Sequence, residues 1–198
     1  MFGSSLLHTA EHSARPWRIH QLAKDFQVLD VWALPTPGGA GDFPLLIRLM
    51  STFDPTQTSP LVRGLFAVRF GIGRLLGLDS EDTGLGARVP SLCDELPADL
   101  VDTARDLDGH LFTPLYVTEN EFALETANRT VHGVLHIGWV PDGAGGHRGQ
   151  MAILVKPNGV LGVAYLAAIA PFRHLVVYPL MMRDIGRAWR QMVPGPHR

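Results

Sequence analysis

The residues best suited to chemistry are two histidines, His132 and His136, four positions apart. On a helix, this spacing would place both imidazoles on one face at the distance of zinc ligands. The neighbours Val131, Leu135 and Ile137 alternate instead as in a strand, where residues four apart share a face but lie roughly 13 Å from each other. We therefore predict no metal site, and two histidines on one sheet face that bond to neighbours or face solvent.

If that face lines a cavity, either imidazole could orient a ligand or act as a general base. Glu121 and Glu125 could then supply a carboxylate across a hairpin, although strand glutamates are more often exposed. Tyr116 could present a hydroxyl to the same pocket. The candidate catalytic residues are His132, His136, Glu125 and Tyr116.

Arg88 and Arg173 are candidate anchors for an acidic ligand group, because a guanidinium presents a fixed fork of donors. Tyr165 is a second candidate hydroxyl, although buried tyrosines usually pack with one satisfied hydrogen bond. The candidate ligand-binding residues are Arg88, Tyr116, His132, His136, Trp139, Tyr165, Arg173, Tyr178 and Met182.

Other motifs predict no cofactor. The run from Gly71 to Gly77 has the wrong spacing for a dinucleotide loop and ends a predicted helix, and no P-loop, nucleophile elbow or calcium loop is present. Cys93 has no nearby basic residue that would lower its pKa, so we predict an inert thiol. The run from Asn128 to Thr130 is typical of a turn.

The first half of the chain predicts one strand and two helices. Residues 23–34 are apolar and β-prone, and Pro35 ends them. Asp42 can cap a helix through Met50, and a second helix runs from Ser59 to Gly77. Residues 80–109 predict an irregular surface segment with a short strand at 87–92.

The second half predicts an antiparallel meander, because its strands are separated by short turns. The predicted strands are residues 111–118, 121–127, 130–140 and 148–156. The spacing of Thr118 and Glu121 also fits a capping box, which leaves a helix over 119–127 as the alternative.

The end of the chain predicts a long helix, with Leu175, Met182 and Trp189 on one face. Pro179 should kink it. Residues 160–170 are apolar all round and fit either a strand or a buried helix. The stretch from Val160 to Met182 resembles a membrane span in hydropathy, but Arg173 lies within it, so we expect a buried core element.

Composition indicates a single soluble domain: the chain has 198 residues, of which 46% are hydrophobic. With 17 Lys and Arg against 19 Asp and Glu, we expect neither nucleic acid nor stable membrane insertion. One cysteine and the lack of a signal-peptide pattern favour the cytoplasm. We expect a loose N-terminal arm at 1–22, one domain at 23–193 and a tail at 194–198.

Three segments carry a resemblance to a bacterial family of unknown function in the START-like, SRPBCC superfamily. They are Asn-Arg-Thr-Val-His-Gly-Val-Leu-His-Ile-Gly-Trp (128–139), Lys-Pro-Asn-Gly-Val-Leu-Gly-Val-Ala-Tyr-Leu-Ala-Ala-Ile-Ala-Pro-Phe-Arg-His (156–174) and Val-Tyr-Pro-Leu-Met-Met-Arg (177–183). The resemblance implies an α+β helix-grip fold: a curved antiparallel sheet of six or seven strands around a long C-terminal helix, with two short helices after the first strand. It also implies that residues 161–170 form an early part of that helix.

Three functions follow as hypotheses. The first is binding of a small hydrophobic molecule, such as a lipid-like, aromatic or polyketide-like metabolite, in an internal cavity. The second is a cyclase, dehydratase or isomerase that uses the cavity histidines, glutamates and tyrosines. The third is a structural or partner-binding role, which would leave an exposed apolar patch. A homodimer is compatible with each of them.

Overall fold

The computed structural model describes residues 6–52, 85, 89–104, 107 and 112–193. Within them, six strands form one curved antiparallel sheet in the order β1-β2-β6-β5-β4-β3. The strands are β1 Leu6–Leu7, β2 Gln27–Ala33, β3 Thr113–Val117, β4 Glu121–Ala127, β5 Val131–Pro141 and β6 His147–Pro157. The predicted α+β fold is confirmed.

Five α-helices lie in the described residues: α1 Ala10–Ser13, α2 Ile19–Leu22, α3 Phe43–Thr52, α4 Gly159–Phe172 and α5 Tyr178–Met192. A π-helical turn, Arg173–Val177, joins α4 to α5. Together they form one helix of 34 residues that is long and apolar enough to cross a membrane by length and composition.

Several predicted elements have different bounds from those in the structure. The strand predicted over 23–34 is β2, and the short strand β1 precedes it and pairs with it. Residues 121–127 are a strand, which decides against the helical alternative. A short strand was predicted at 87–92. Its last residue, Leu92, instead begins a 3-10 helix, Leu92–Glu95. The helix predicted from Ser59 to Gly77 lies outside the described residues.

The meander is set by two turns whose side chains accept backbone hydrogen bonds. Asn128 Oδ1 accepts from the amides of Thr130 and Val131, as the turn prediction for this segment required. Asp142 Oδ1 accepts from the amides of two residues in the β5–β6 turn. That turn also contains Gly143 and Gly145 at positive φ, a conformation that glycine adopts without a steric cost.

Both faces of the sheet are covered. On the helix face, α3 and α5 pack against side chains that include Ile137, Met151 and Phe122. On the opposite face, which we call the arm face, residues from the N-terminal arm and from 89–104 pack against Val134 and Leu154. A central strand such as β5 is therefore apolar on both sides, apart from its two histidines.

The expectation of a loose N-terminal arm is wrong for the described residues 6–22. His12, Trp17 and Ile19 are buried, and Trp17 packs directly onto Gly138 of β5. A Cβ at position 138 would lie 2.5 Å from the Trp17 ring, so glycine is needed for this contact. The arm thus belongs to the folded unit.

The prediction that residues 160–182 form a buried core element is wrong for α4. This helix buries Gly162 alone among its 14 residues. In the most apolar 18 residues of the 34-residue helix, only 6% are buried. By contrast, α5 buries one face against the sheet. The helix that the family resemblance implied for residues 161–170 is confirmed, whereas composition alone left strand and helix open and did not show whether another element would cover it.

The proline at position 179 changes the helix before it. Pro179 has no amide to donate to the carbonyl of Leu175. The chain forms the π-helical turn immediately before this position, and the amide of Tyr178 donates to the carbonyl of Arg173, five residues back. Single π turns of this kind often occur at functional sites.

Candidate functional site

The alternation of β5 separates its polar residues from the C-terminal helix. Leu135, Ile137 and Trp139 point to the helix face, whereas His132 and His136 point to the arm face. Both histidines are buried, at 3% and 0% exposure. The hypothesis that they line a cavity beneath the C-terminal helix therefore places them on the wrong side of the sheet.

His136 is the centre of a buried chain of hydrogen bonds. Its Nε2 lies 2.6 Å from Glu121 Oε2, and its Nδ1 lies 3.0 Å from His12 Nε2. Glu121 Oε1 also accepts from the Arg18 amide at 2.8 Å. These bonds join strands β4 and β5 to the N-terminal arm.

The environment keeps these two histidines neutral. Burial lowers the pKa of His136, although its hydrogen bond to Glu121 acts in the opposite direction. Burial, together with the neighbours His136, His20 and Arg15, lowers the pKa of His12 to about 3. A neutral imidazole can donate from one nitrogen and accept at the other, as a chain of this kind requires.

His132 takes part in a second buried pair. Its Nε2 lies 3.0 Å from Glu125 Oε2, which also accepts from the Leu92 amide at 3.1 Å. The Ser91 hydroxyl donates to Glu125 Oε1. Burial alone would raise the pKa of Glu125, but the bonds from His132, Ser91 and Leu92 outweigh it and the pKa is lowered. This pair holds the segment 89–104 on the sheet.

The expectation that the strand glutamates are exposed is wrong, since Glu121 and Glu125 are 2% and 0% exposed. Each glutamate binds its own histidine. Tyr116, also buried on the arm face, lies beside Glu121, and burial and this carboxylate raise its pKa. The four candidate catalytic residues are thus gathered on one face, and their side chains are closed to solvent.

A different polar cluster lies at the helix face and was not predicted from the sequence. Asp30 of β2 is 3% exposed. Its Oδ2 lies 3.0 Å from Arg173 Nε and accepts from the Tyr178 hydroxyl at 3.2 Å, and its Oδ1 lies 2.9 Å from His174 Nε2. Three partners from the π turn and the start of α5 thus converge on one buried carboxylate.

The signal that could have revealed Asp30 is a single charge in the apolar run Val28 to Trp32. A buried carboxylate requires partners, and two basic residues, Arg173 and His174, lie in the apolar stretch that follows the sheet. What the sequence could not supply is the long-range pairing of β2 with β6, which brings these segments together. Burial and Asp30 also raise the pKa of Tyr178.

On the helix face, the exposure of the side chains differs between two parts of the sheet. Beneath α5, Phe122, Ile137 and Met151 are at most 1% exposed. The next residues on the same face, each two positions away on its strand, are Leu124, Leu135 and Ile153. These three are only partly buried. These three positions are neighbours across the sheet, because Leu135 pairs with both Leu124 and Ile153.

Both ends of α4 lie close to other parts of the chain. At its start, a Cβ on Gly162 would lie 2.1 Å from the Thr130 carbonyl oxygen, so helix and sheet are in close contact. The helix returns to the sheet at Arg173, which pairs with Asp30. Between these two anchors the side chains of α4 are not buried. We use the name α4 groove for these three partly exposed positions, Leu124, Leu135 and Ile153, together with Asp30.

The remaining candidate residues are distributed over several sites. Tyr165 is partly buried on α4, and Arg173 and Tyr178 contact Asp30 at the end of the groove. Met182 of α5 and Trp139 of β5 are buried in the cluster between α5 and the sheet. Arg88 lies outside the described residues. For Cys93, burial raises the pKa of the thiol, which agrees with the predicted inert role.

Comparison with known proteins gives one family. A family model described as a protein of unknown function (DUF2867) matches residues 22–180. No curated protein and no solved structure matches the chain. The matched region contains Asp30, the sheet strands β2 to β6, all of α4 and the π turn.

Proposed function

The chain belongs to the DUF2867 family of proteins of unknown function, and we propose that it binds a small, mainly apolar molecule in the α4 groove. The observation that carries the proposal is the partial exposure of Leu124, Leu135 and Ile153 at the centre of the sheet. Apolar side chains at the centre of a covered sheet face are normally buried. A ligand that covered these three would gain about 0.8 kcal/mol of binding free energy for each CH₂ group removed from water.

The cluster around Asp30 favours a ligand with one polar end. Pockets for small molecules are commonly apolar with a few placed polar groups that fix orientation. Arg173 and His174 keep donor groups beyond those that contact Asp30, and the side chain of His174 is 32% exposed. A hydroxyl, carbonyl or carboxylate on the ligand could accept a hydrogen bond from either of them.

The test is a binding titration with the uncharged fluorescent probe N-phenyl-1-naphthylamine. Leu135→Trp should fill the groove and weaken probe binding about 10-fold, because the indole occupies the space of the ligand. The matched control is Val163→Trp, which places the same side chain at an exposed position of α4. Both variants should keep the thermal unfolding midpoint of the unchanged protein within a few degrees.

Two outcomes would overturn the proposal. One is equal probe affinity for Leu135→Trp and the unchanged protein when both are folded. The other is a loss of affinity in Val163→Trp as large as that in Leu135→Trp, which would assign the probe to the outer surface of α4. Native mass spectrometry of the purified protein would add the identity of any molecule that is retained.

A second candidate function, proton transfer on a bound carbonyl compound, is favoured by one contact. Asp30 lies 2.9 Å from His174 Nε2, and a carboxylate that orients an imidazole is a common arrangement for a general base. This candidate function makes His174 the general base, in place of His132, His136, Glu125 or Tyr116. Base-catalysed ring opening of 5-nitrobenzisoxazole reports such a base. The rate should fall to background in His174→Gln and persist in His147→Gln, and equal rates would exclude this candidate.

A further inference from the structure

The outer face of the C-terminal helix carries a long exposed stripe. Its members recur every three or four residues: Val160, Ala164, Ala168, Phe172, Leu175, Pro179, Arg183, Arg187 and Arg190. We call this set the outer stripe.

The apolar half of the outer stripe is strongly exposed. Val160 is 86% exposed and Leu175 is 77% exposed, and Leu161 and Val163 beside the stripe are more than half exposed. No charged residue occurs between Gly159 and Phe172. An exposed apolar surface of this extent indicates a site of contact with a partner or a membrane.

The other half of the outer stripe is basic. Arg183, Arg187 and Arg190 are exposed on α5, and Asp184 is the only acidic residue from 159 to 192. Asp184 lies 3.4 Å from Arg187 Nη1 and its side chain is only 10% exposed. The surface therefore joins an apolar end to a positive end, with no exposed acidic side chain on the helix.

We propose that the outer stripe docks this protein onto the surface of an anionic lipid bilayer. The apolar half would enter the interface between headgroups and acyl chains, and the three arginines would lie among anionic headgroups. A helix that lies in this plane needs one exposed face of apolar and basic residues, which the stripe supplies. The opposite face of the same helix remains available to the α4 groove.

A membrane span is a poorer fit to the same residues. The uncharged part, α4, has 14 residues and is about 21 Å long, whereas the hydrocarbon core of a bilayer is about 30 Å thick. The rest of the helix is held on the sheet by Tyr178, Met182 and Trp189, which are buried. Docking leaves these contacts intact.

A second copy of the chain also fits less well. In a two-fold symmetric dimer the stripe would face itself. Parallel helices would then bring the arginines of both copies together, and antiparallel helices would place arginines on the apolar half. An anionic bilayer matches both halves at once, since it offers acyl chains and negative headgroups in the same layer.

The test is sedimentation with vesicles of phosphatidylcholine alone and of phosphatidylcholine with 30% phosphatidylglycerol. The full chain should bind the anionic vesicles and be released by 0.5 M salt, because its arginines contribute by electrostatic attraction. Leu175→Glu should reduce binding at least 10-fold. The matched control is Val101→Glu, which changes a residue that is 47% exposed in the segment over the arm face, and it should bind normally.

A second pair of variants tests the basic half. Arg183→Gln with Arg190→Gln should weaken binding to anionic vesicles about 30-fold, since two basic residues near the surface are removed. Lys24→Gln with Arg48→Gln removes two exposed charges elsewhere and should leave binding unchanged. Thermal unfolding checks that each variant is folded, as expected for changes at exposed positions.

Three results would overturn the proposal: no binding to anionic vesicles, equal effects of Leu175→Glu and Val101→Glu, or equal effects of the two double variants. A dimer in light scattering that Leu175→Glu dissociates, without vesicle binding, would assign the stripe to self-association instead. Leu135→Trp leaves the outer stripe unchanged and should bind the vesicles as the unchanged protein does, whereas a loss of vesicle binding in this variant would assign the lipid contact to the groove and overturn docking by the stripe. Failure of groove binding and failure of docking are therefore observed separately.

Discussion

Individual ionisable residues of this protein serve two different purposes. Glu121 and Glu125 each bind a histidine on the arm face, where the side chains are closed to solvent. Asp30 instead gathers Arg173 and His174, and the side chain of His174 is 32% exposed. The difference is one of access, because burial and hydrogen-bond satisfaction are similar at the three carboxylates.

Asp30→Asn is expected to lower the free energy of unfolding by about 2–3 kcal/mol, since it leaves Arg173 without its carboxylate partner in a largely buried place. The measurement is urea unfolding at pH 7.5. The matched control is Asp25→Asn, whose carboxylate is 77% exposed and pairs with Lys156, and its effect should stay below about 0.5 kcal/mol. Equal effects would show that Asp30 has no special role in stability.

At the scale of elements, the N-terminal arm and the C-terminal helix cover opposite faces of the sheet in different ways. The arm is held by close packing of Trp17 on Gly138 and by buried hydrogen bonds from His12 and Arg18. The C-terminal helix buries one face along α5, whereas α4 buries Gly162 alone. An element fixed by interior contacts is sensitive to changes in volume at the points of contact.

Gly138→Ala is expected to loosen the arm, because the new Cβ would lie 2.5 Å from the Trp17 ring. The cost should be about 1–3 kcal/mol, with faster amide hydrogen exchange over residues 9–22. Gly133→Ala is the control on the same strand, where the nearest atom would be 3.8 Å away. If exchange in the arm is the same in both variants, the arm does not depend on this contact.

At the scale of the whole molecule, buried neutral histidines make stability depend on pH. The pKa of His12 is about 3 in the folded protein and 6.5 without the fold. As the pH falls below 6.5, the unfolded state takes up this proton first, so stability present above pH 6.5 is lost progressively towards pH 3. The lowered pKa of His136 acts with the same sign.

Between pH 8 and pH 5, His12 alone should reduce the free energy of unfolding by about 2 kcal/mol. Urea unfolding at the two pH values measures this difference. His12→Gln should show a smaller difference, while His147→Gln, in the β5–β6 turn region, should keep it. The explanation would be rejected if the free energy of unfolding fell by the same amount between pH 8 and pH 5 in His12→Gln and in the unchanged protein.

The sequence by itself determined the strands of the meander, because alternation and turn residues such as Asn128 and Asp142 are local signals. It also determined the terminal helix and placed His132 and His136 apart on one face of one strand, since residues four apart share a strand face. Local sequence patterns of this kind identify a strand or a helix, but they do not show which other part of the chain packs against it.

Only the tertiary structure decided which face each polar residue occupies and which elements cover it. The arm covers His136, beside the carboxylate of Glu121 and the glycine at 138, whereas residues 91 and 92 contact Glu125, the partner of His132. Asp30 meets Arg173 because β2 pairs with β6, far away in sequence. The apolar helix α4 buries Gly162 alone, because no element of the described residues covers the rest of it. Each of these facts depends on contacts between distant segments, and residue periodicity carries no information about them.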